Sequence, residues 1–396
     1  MRALAAGSIL VFHVWRIGSP DGEPYDLGRV SALVPDLQFG VALFFGLSGF
    51  LLYWPFAGAI VRGHDGPGAA RYLRNRMLRI VPAYWVILLV SALVLDAVLR
   101  PGGKVGALTD PWLLLQSMLF LQNYDPDQVV TGIGPAWSLN VEVVFYLCLP
   151  LLAFAAVVLA RRIRPVAAAL VPAAFLLAFG LAGKAIAAWV VPPLAPYDGW
   201  ENDWHSVIER SFLGQADLFA FGMALAVARV LWEDGRLRLP RRWRGVTLVV
   251  ALAALAIIVT TFTDEGVQMS YSPWNTVVAL DLALLLAAVV LTHDDHRRPR
   301  VVRALDWRPL LLVGVVSYSV FLWHEPLIRW LNDNGLTVGG VGGFLLTLGL
   351  MLAVTLALSV ATYRWVEAPS LRLKRRSTAA PQEEAAVAVG ELSAAP

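Results

Sequence analysis

The residues that invite chemistry begin at the second position of the chain. In "MRALAAGSILVFHVW", Arg2 is followed after ten small or apolar residues by His13, an imidazole in a stretch that otherwise reads as lipid-facing helix. Histidine exchanges a proton near neutral pH and serves as general base or as nucleophile. Eleven residues at about 100° each return to nearly the same helix face, and at about 1.5 Å per residue they separate the two side chains by roughly 16 Å. One helical stripe therefore carries a cation at one end and a base at the other. That spacing suits an acyl-coenzyme A, whose thioester lies a pantetheine arm from its phosphates. The alternative reading is that Arg2 is a topological anchor and nothing more.

A second basic cluster, "RYLRNRMLRIVPAYW", places four arginines in nine residues. Arg76 and Arg79 are three apart and share a helix face. The guanidinium is a planar donor fork that fits phosphate, and this density of charge exceeds what orientation in a membrane requires. Further polar groups stand inside apolar runs. Glu142, Asp217 and Asp281 each lie six or seven residues inside a span, and His324 and Glu325 reach a similar depth from the opposite direction, on the order of 10 Å down. Intramembrane ionisable groups mark function by default, although each alone also reads as a packed, hydrogen-bonded group. As a set they predict a lined cavity, with Asp217 and Asp281 left to packing.

These residues need helices to position them. The chain of 396 residues is 58% hydrophobic and 15% charged, with mean hydropathy +0.64, which reads as an integral membrane protein. Apolar runs fall at approximately 2–17, 37–60, 80–99, 136–159, 165–191, 211–232, 244–263, 274–293, 309–331 and 340–366, with a shorter piece at 111–123. Fifteen tryptophans suit interfacial belts. The loops at 61–79, 160–164, 229–244, 294–308 and 367–396 hold 23 of the 32 lysines and arginines. This alternation is unbroken only if 111–123 does not cross. The expectation is an all-α polytopic protein of the cell membrane. About ten transmembrane helices, one short re-entrant or surface helix and cytoplasmic termini complete it. The first run lacks a small-x-small cleavage site and reads as a retained span. Residues 1–370 form one membrane domain and 371–396 a basic, disordered cytoplasmic tail. The net charge of +3 follows from topology, so nucleic acid is excluded as a partner. The single cysteine, Cys148, cannot form an internal disulfide, and no Cys/His spacing suggests a metal.

The motifs together resemble membrane-bound acyltransferase family 3, whose members transfer acyl groups, usually acetyl, to carbohydrate or related hydroxyls. The resemblance runs from residue 1 to about 370 in "RALAAGSILVFH", "FFGLSGFLL", "RNRMLRIVPAYW", "LFLQN", "PAWSLNVEVVFYLCLP", "SYSVFLWHEPLI" and "YRWVEAPSLRL". It implies that His13 is the catalytic histidine with Arg2 as its motif partner, and that Arg76 and Arg79 contribute to the coenzyme A site. It places Trp137 and Ser138 in the site wall, Glu142 as a polar partner of the catalytic region and His324 in the site without a defined role. The Gly46–Phe50 stretch reads as small-residue helix packing. Members usually carry a few residues before the arginine, which leaves open whether the natural start lies upstream.

The expected mechanism makes His13 the general base, oriented by Glu142, while Arg2, Arg76 and Arg79 fix the donor. An acyl-histidine intermediate remains an open route. No tightly bound cofactor is expected; the donor is acetyl-CoA or another acyl-CoA, and the acceptor a glycan, a glycolipid or a glycosylated small molecule such as a macrolide. A competing class is a proton-coupled secondary transporter, which predicts discontinuous helices at matching places in two halves. Pro and Gly interruptions occur, but without that pairing.

Overall fold

Backbone amides in a bilayer have no water to bind, so a chain this apolar satisfies them within helices. The computed structural model describes residues 1–191, 202–261, 273–292 and 300–373. Its helices are α1 Arg2–Ile17, α2 Gly40–Arg62, α3 Ala69–Leu93, α4 Pro111–Met118, α5 Ala136–Leu159, α6 Pro165–Trp189, α7 Trp204–Glu209, α8 Phe212–Gln215 and α9 Asp217–Glu233. They continue with α10 Trp243–Thr261, α11 Pro273–Val290, α12 Arg300–Leu305, α13 Arg308–Asp333 and α14 Gly340–Thr362. The β-structure among the described residues is a hairpin of Val98–Leu99 against Val105–Gly106. Most of the expected tail lies outside the described residues.

Eight of the helices are long and apolar enough to cross a membrane, and the chain is a multi-pass membrane protein. The expected count of ten differs because α1 and α9 have 16 and 17 residues, about 24–26 Å of helix against a hydrocarbon core of about 30 Å. Both are embedded among other helices: α1 packs on α2 and α13, and α9 on α2, α6 and α11. The third span also differs. It begins at Ala69 rather than near residue 80, because Arg71 to Arg79 are good helix formers whose charge hid them from a hydropathy reading. The expected span 211–232 is broken into α8 and α9, preceded by α7, where Asp203 and Ser211 accept backbone N–H bonds as N-caps. α4 has 8 residues, too few to cross, as expected. Asp110 caps its start by accepting the N–H groups of Trp112 and Leu113. Its last carbonyls accept from α3, Ser117 O from the Tyr84 hydroxyl at 2.7 Å and Met118 O from the Trp85 indole at 3.0 Å.

Two contacts hold the middle of the bundle. At the α2–α9 crossing the backbones touch: a Cβ on Gly222 would stand 2.8 Å from the amide nitrogen of Phe50, and one on Gly49 3.1 Å from the carbonyl carbon of Phe219. The Gly46–Phe50 stretch is therefore helix packing, as its sequence suggests. Beside it, the ammonium of Lys184 on α6 pairs with Asp217 at the start of α9, and both bond Thr276 on α11. Lys184 and Asp217 are fully buried, so each neutralises what the other could not carry alone in this setting. We expect Gly222→Leu to destabilise the protein by about 1–3 kcal/mol through overpacking, read as a lower melting temperature in detergent. Gly46→Ala, whose added methyl meets nothing within 4 Å, leaves that temperature unchanged.

Candidate active site

α1 brings its histidine into the bundle, not toward lipid. Ile9, Leu10 and Val14 are buried and His13 retains 9% exposure. The Nδ1 of His13 lies 2.9 Å from the Ile9 carbonyl and 3.1 Å from Nε2 of His324 on α13. His324 is fully buried, and its Nδ1 lies 3.2 Å from the Val320 carbonyl one turn earlier. The edge of Phe12 packs on the His13 ring at 5.0 Å and Phe321 sits 5.9 Å from the His324 ring. Glu325, next in the chain, turns away from the pair. Its buried carboxylate accepts the Gly134 N–H at 2.7 Å and the Arg329 guanidinium at 2.6 Å, which fastens the segment before α5 to α13.

Next to the histidines is a cavity of about 680 Å³, counted with its mouth, lined by Arg2, Arg76 and Arg79 together with Glu142, Ser48 and Tyr146. Arg2 is thus an interior group. The three arginines come from α1 and α3, and Glu142 from α5. Arg76 Nε is buried without a hydrogen-bond partner. Ser138 also lines this cavity and donates to Pro135 O at 2.9 Å. Trp137 stands behind the wall, its ring 6.4 Å from that of the lining Phe45. Phe44 and Phe321, edge to face at 5.7 Å, form the end of the cavity that adjoins the histidine pair. A second cavity of about 930 Å³ shares Arg2 and Arg79 and opens between Leu305, Leu310 and Leu371. Arg2 and Arg79 thus stand in the walls of both cavities.

One expected contact is absent. Glu142 does not meet His13; its carboxylate accepts the Ser48 hydroxyl at 2.5 Å and the Tyr146 hydroxyl at 2.9 Å. Equal depth on two helices does not fix which faces meet, and Glu142 faces the arginines. The polar layer read from the sequence is accordingly three separate groups: the histidine pair, the arginine cavity, and the Lys184–Asp217–Thr276 cluster. Asp281 is buried away from these bonds with Oδ2 unpartnered. Two cavity residues escaped the sequence reading. Tyr146 follows Glu142 by one turn, a spacing that is legible; Ser48 lay inside a stretch read as packing, and it serves both ends. No group of three or more His, Cys, Asp or Glu that could hold a metal occurs among the described residues.

The site thus pairs two buried imidazoles with a cavity lined by three arginines. Comparison with known proteins gives the class of reaction. The chain is 25% identical to acyltransferase MdmB of Streptomyces mycarofaciens, over 86% of this chain and 82% of that protein. It is 26% identical to the exopolysaccharide production protein ExoZ of Rhizobium meliloti, over 85% and 90%. It is 22% identical to the peptidoglycan O-acetyltransferase OatA of Listeria monocytogenes, over 93% of this chain and 54% of that protein. No solved structure matches. The family described as an acyltransferase domain matches residues 1–364 and so takes in the arginine cavity and both histidines; the chain belongs to acyltransferase family 3 and is a membrane-bound O-acyltransferase.

Proposed function

We propose that this enzyme transfers an acyl group, acetyl in the first instance, from acyl-coenzyme A to a hydroxyl of a carbohydrate-type acceptor, with His13 as the general base. The observation that carries this reading is that Phe321, in the wall of the Arg2, Arg76 and Arg79 cavity, also packs 5.9 Å from the ring of His324, the partner of His13. Three guanidinium groups against one carboxylate leave an excess of positive charge, and the orphaned Nε of Arg76 is a donor that a phosphate oxygen satisfies. The donor arrives from the cytoplasmic side of the cell membrane, on which both termini lie, through the mouth at Leu305 and Leu371. Its phosphates rest at the arginines, and its acyl end passes Phe44 and Phe321 to reach His13.

At that point His13 Nε2 takes the proton of the acceptor hydroxyl, the alkoxide oxygen attacks the thioester carbon, and the C–O bond forms as the C–S bond breaks. The proton returns from Nε2 to the departing thiolate. Phe12, Phe44 and Phe321 keep water from competing for the acyl group. Glu142 contributes from the donor side, holding Ser48 and Tyr146 in the wall and offsetting part of the arginine charge. The names of the peptidoglycan and exopolysaccharide relatives support a glycan or glycolipid acceptor. Membership of an acyltransferase family sets the transporter reading aside.

We expect His13→Ala to lower transfer by at least about 10²-fold, the usual contribution of a positioned base, in protein that still inserts and accumulates; the assay is incorporation of [14C]acetyl from acetyl-CoA into membrane glycans. Arg79→Ala, which removes a charge-assisted phosphate contact, raises the Michaelis constant for acetyl-CoA by about 10- to 100-fold with a smaller effect on turnover. Glu142→Gln keeps an acceptor for one of Ser48 and Tyr146, offers an N–H to the other's hydroxyl oxygen, and lowers turnover by less than about 10-fold; a loss as deep as that of His13→Ala would return Glu142 to the role of orienting the base.

A further inference from the structure

The base in this reading has a definite protonation pattern that its neighbours impose. His13 Nδ1 faces two groups, the Ile9 carbonyl at 2.9 Å and His324 Nε2 at 3.1 Å. A carbonyl oxygen only accepts, so it calls for a proton on His13 Nδ1. His324 meets the same constraint one residue further out, since its Nδ1 faces the Val320 carbonyl at 3.2 Å and must donate. A neutral imidazole carries one N–H, so His324 Nε2 is left with a lone pair. The two rings then have one consistent solution: Val320 O accepts from His324 Nδ1, His324 Nε2 accepts from His13 Nδ1, and His13 Nε2 is bare. That last nitrogen makes no hydrogen bond to the described residues.

We infer that His324 is the positioning residue for the catalytic base: a neutral imidazole standing where hydrolytic triads place a carboxylate, it holds His13 as the Nδ1–H tautomer and accepts from the imidazolium that forms when Nε2 takes the acceptor's proton. The inference rests on His13 acting as base. It also gives the carbonyls of Ile9 and Val320 a role, since each offers the imidazole one turn on a second lone pair beside the one its helix uses. A carboxylate at this site would leave a charge in the interior between turnovers. A second imidazole supplies the same acceptor without one. Its chemical signature is directional. The role requires an acceptor at the position of Nε2, which Gln reaches with its Oε1 and Asn, one carbon shorter, does not.

The test compares His324→Ala, His324→Asn, His324→Gln and His13→Ala in inside-out membrane vesicles given [14C]acetyl-CoA, with incorporation into vesicle glycans and lipids as the readout. The inference predicts a fall in turnover of about 10²-fold for His324→Ala and His324→Asn, with the Michaelis constant for acetyl-CoA within about twofold of wild type, and recovery of most of the turnover in His324→Gln. Wild-type turnover in His324→Ala, or a His324→Gln enzyme no better than His324→Ala, overturns it. Activity retained by His13→Ala overturns the base assignment beneath it, which separates the two failures. A measurement on the unmutated protein is independent of variant folding: 15N NMR of histidine-labelled enzyme in nanodiscs shows His13 protonated at Nδ1 and bare at Nε2, and the opposite tautomer contradicts the inference.

Discussion

A polar side chain in a bilayer must find its partner within the protein, on its own helix or on another, because lipid offers none. That constraint, more than apolar contact, determines which helices of this protein are neighbours. His13 and His324 join α1 to α13; Ser48 and Glu142 join α2 to α5; Lys184, Asp217 and Thr276 join α6, α9 and α11. Ser319 on α13 donates to the buried Glu367 at 2.5 Å, in the π turn Tyr363–Glu367 that ends α14. Lipid chains solvate leucine as well as another leucine does, so bulky apolar surface alone does not choose partners. The polar pairs do, together with the close glycine crossing of α2 and α9.

The same constraint separates charge from base. The arginines that would repel one another are gathered around a cavity with Glu142 among them, and the histidines are paired with each other through neutral nitrogens. An aromatic step, Phe44 against Phe321, divides the two zones. An anionic donor can therefore be gripped strongly at one end without placing formal charge beside the reacting centre. Helix α1 carries both ends of this arrangement, Arg2 on the cavity wall and His13 at the imidazole pair.

Much of this was legible in the residues. Helix α1 and helix α5 begin and end where periodicity and hydropathy place them, and the return of Arg2 and His13 to one face follows from 3.6 residues per turn. The motif resemblance identified the family that the match over residues 1–364 then established. What stayed hidden is azimuth. Glu142 and His13 share a depth, and depth is what a hydropathy count yields; which way each helix is rotated depends on packing that no single segment encodes. The His13–His324 contact spans 311 residues and Lys184–Asp217 depends on where a broken helix restarts. The arginine-rich start of α3 was misplaced for a related reason: charge that faces an internal cavity looks, in sequence, like charge that faces water.

The central claim is that the arginine cavity holds the acyl donor with its reactive end at His13. A structure of the protein with a thioether analogue of acetyl-CoA, in which a methylene inserted between the sulfur and the carbonyl carbon leaves no thioester to cleave, tests it most directly. The account predicts phosphate density against Arg2, Arg76 and Arg79 and the analogue's carbonyl beyond Phe321, near enough to His13 for an acceptor hydroxyl between them to donate to Nε2 while facing the carbonyl carbon. An analogue seated elsewhere, with those guanidinium groups bare and the histidine pair out of reach, contradicts it.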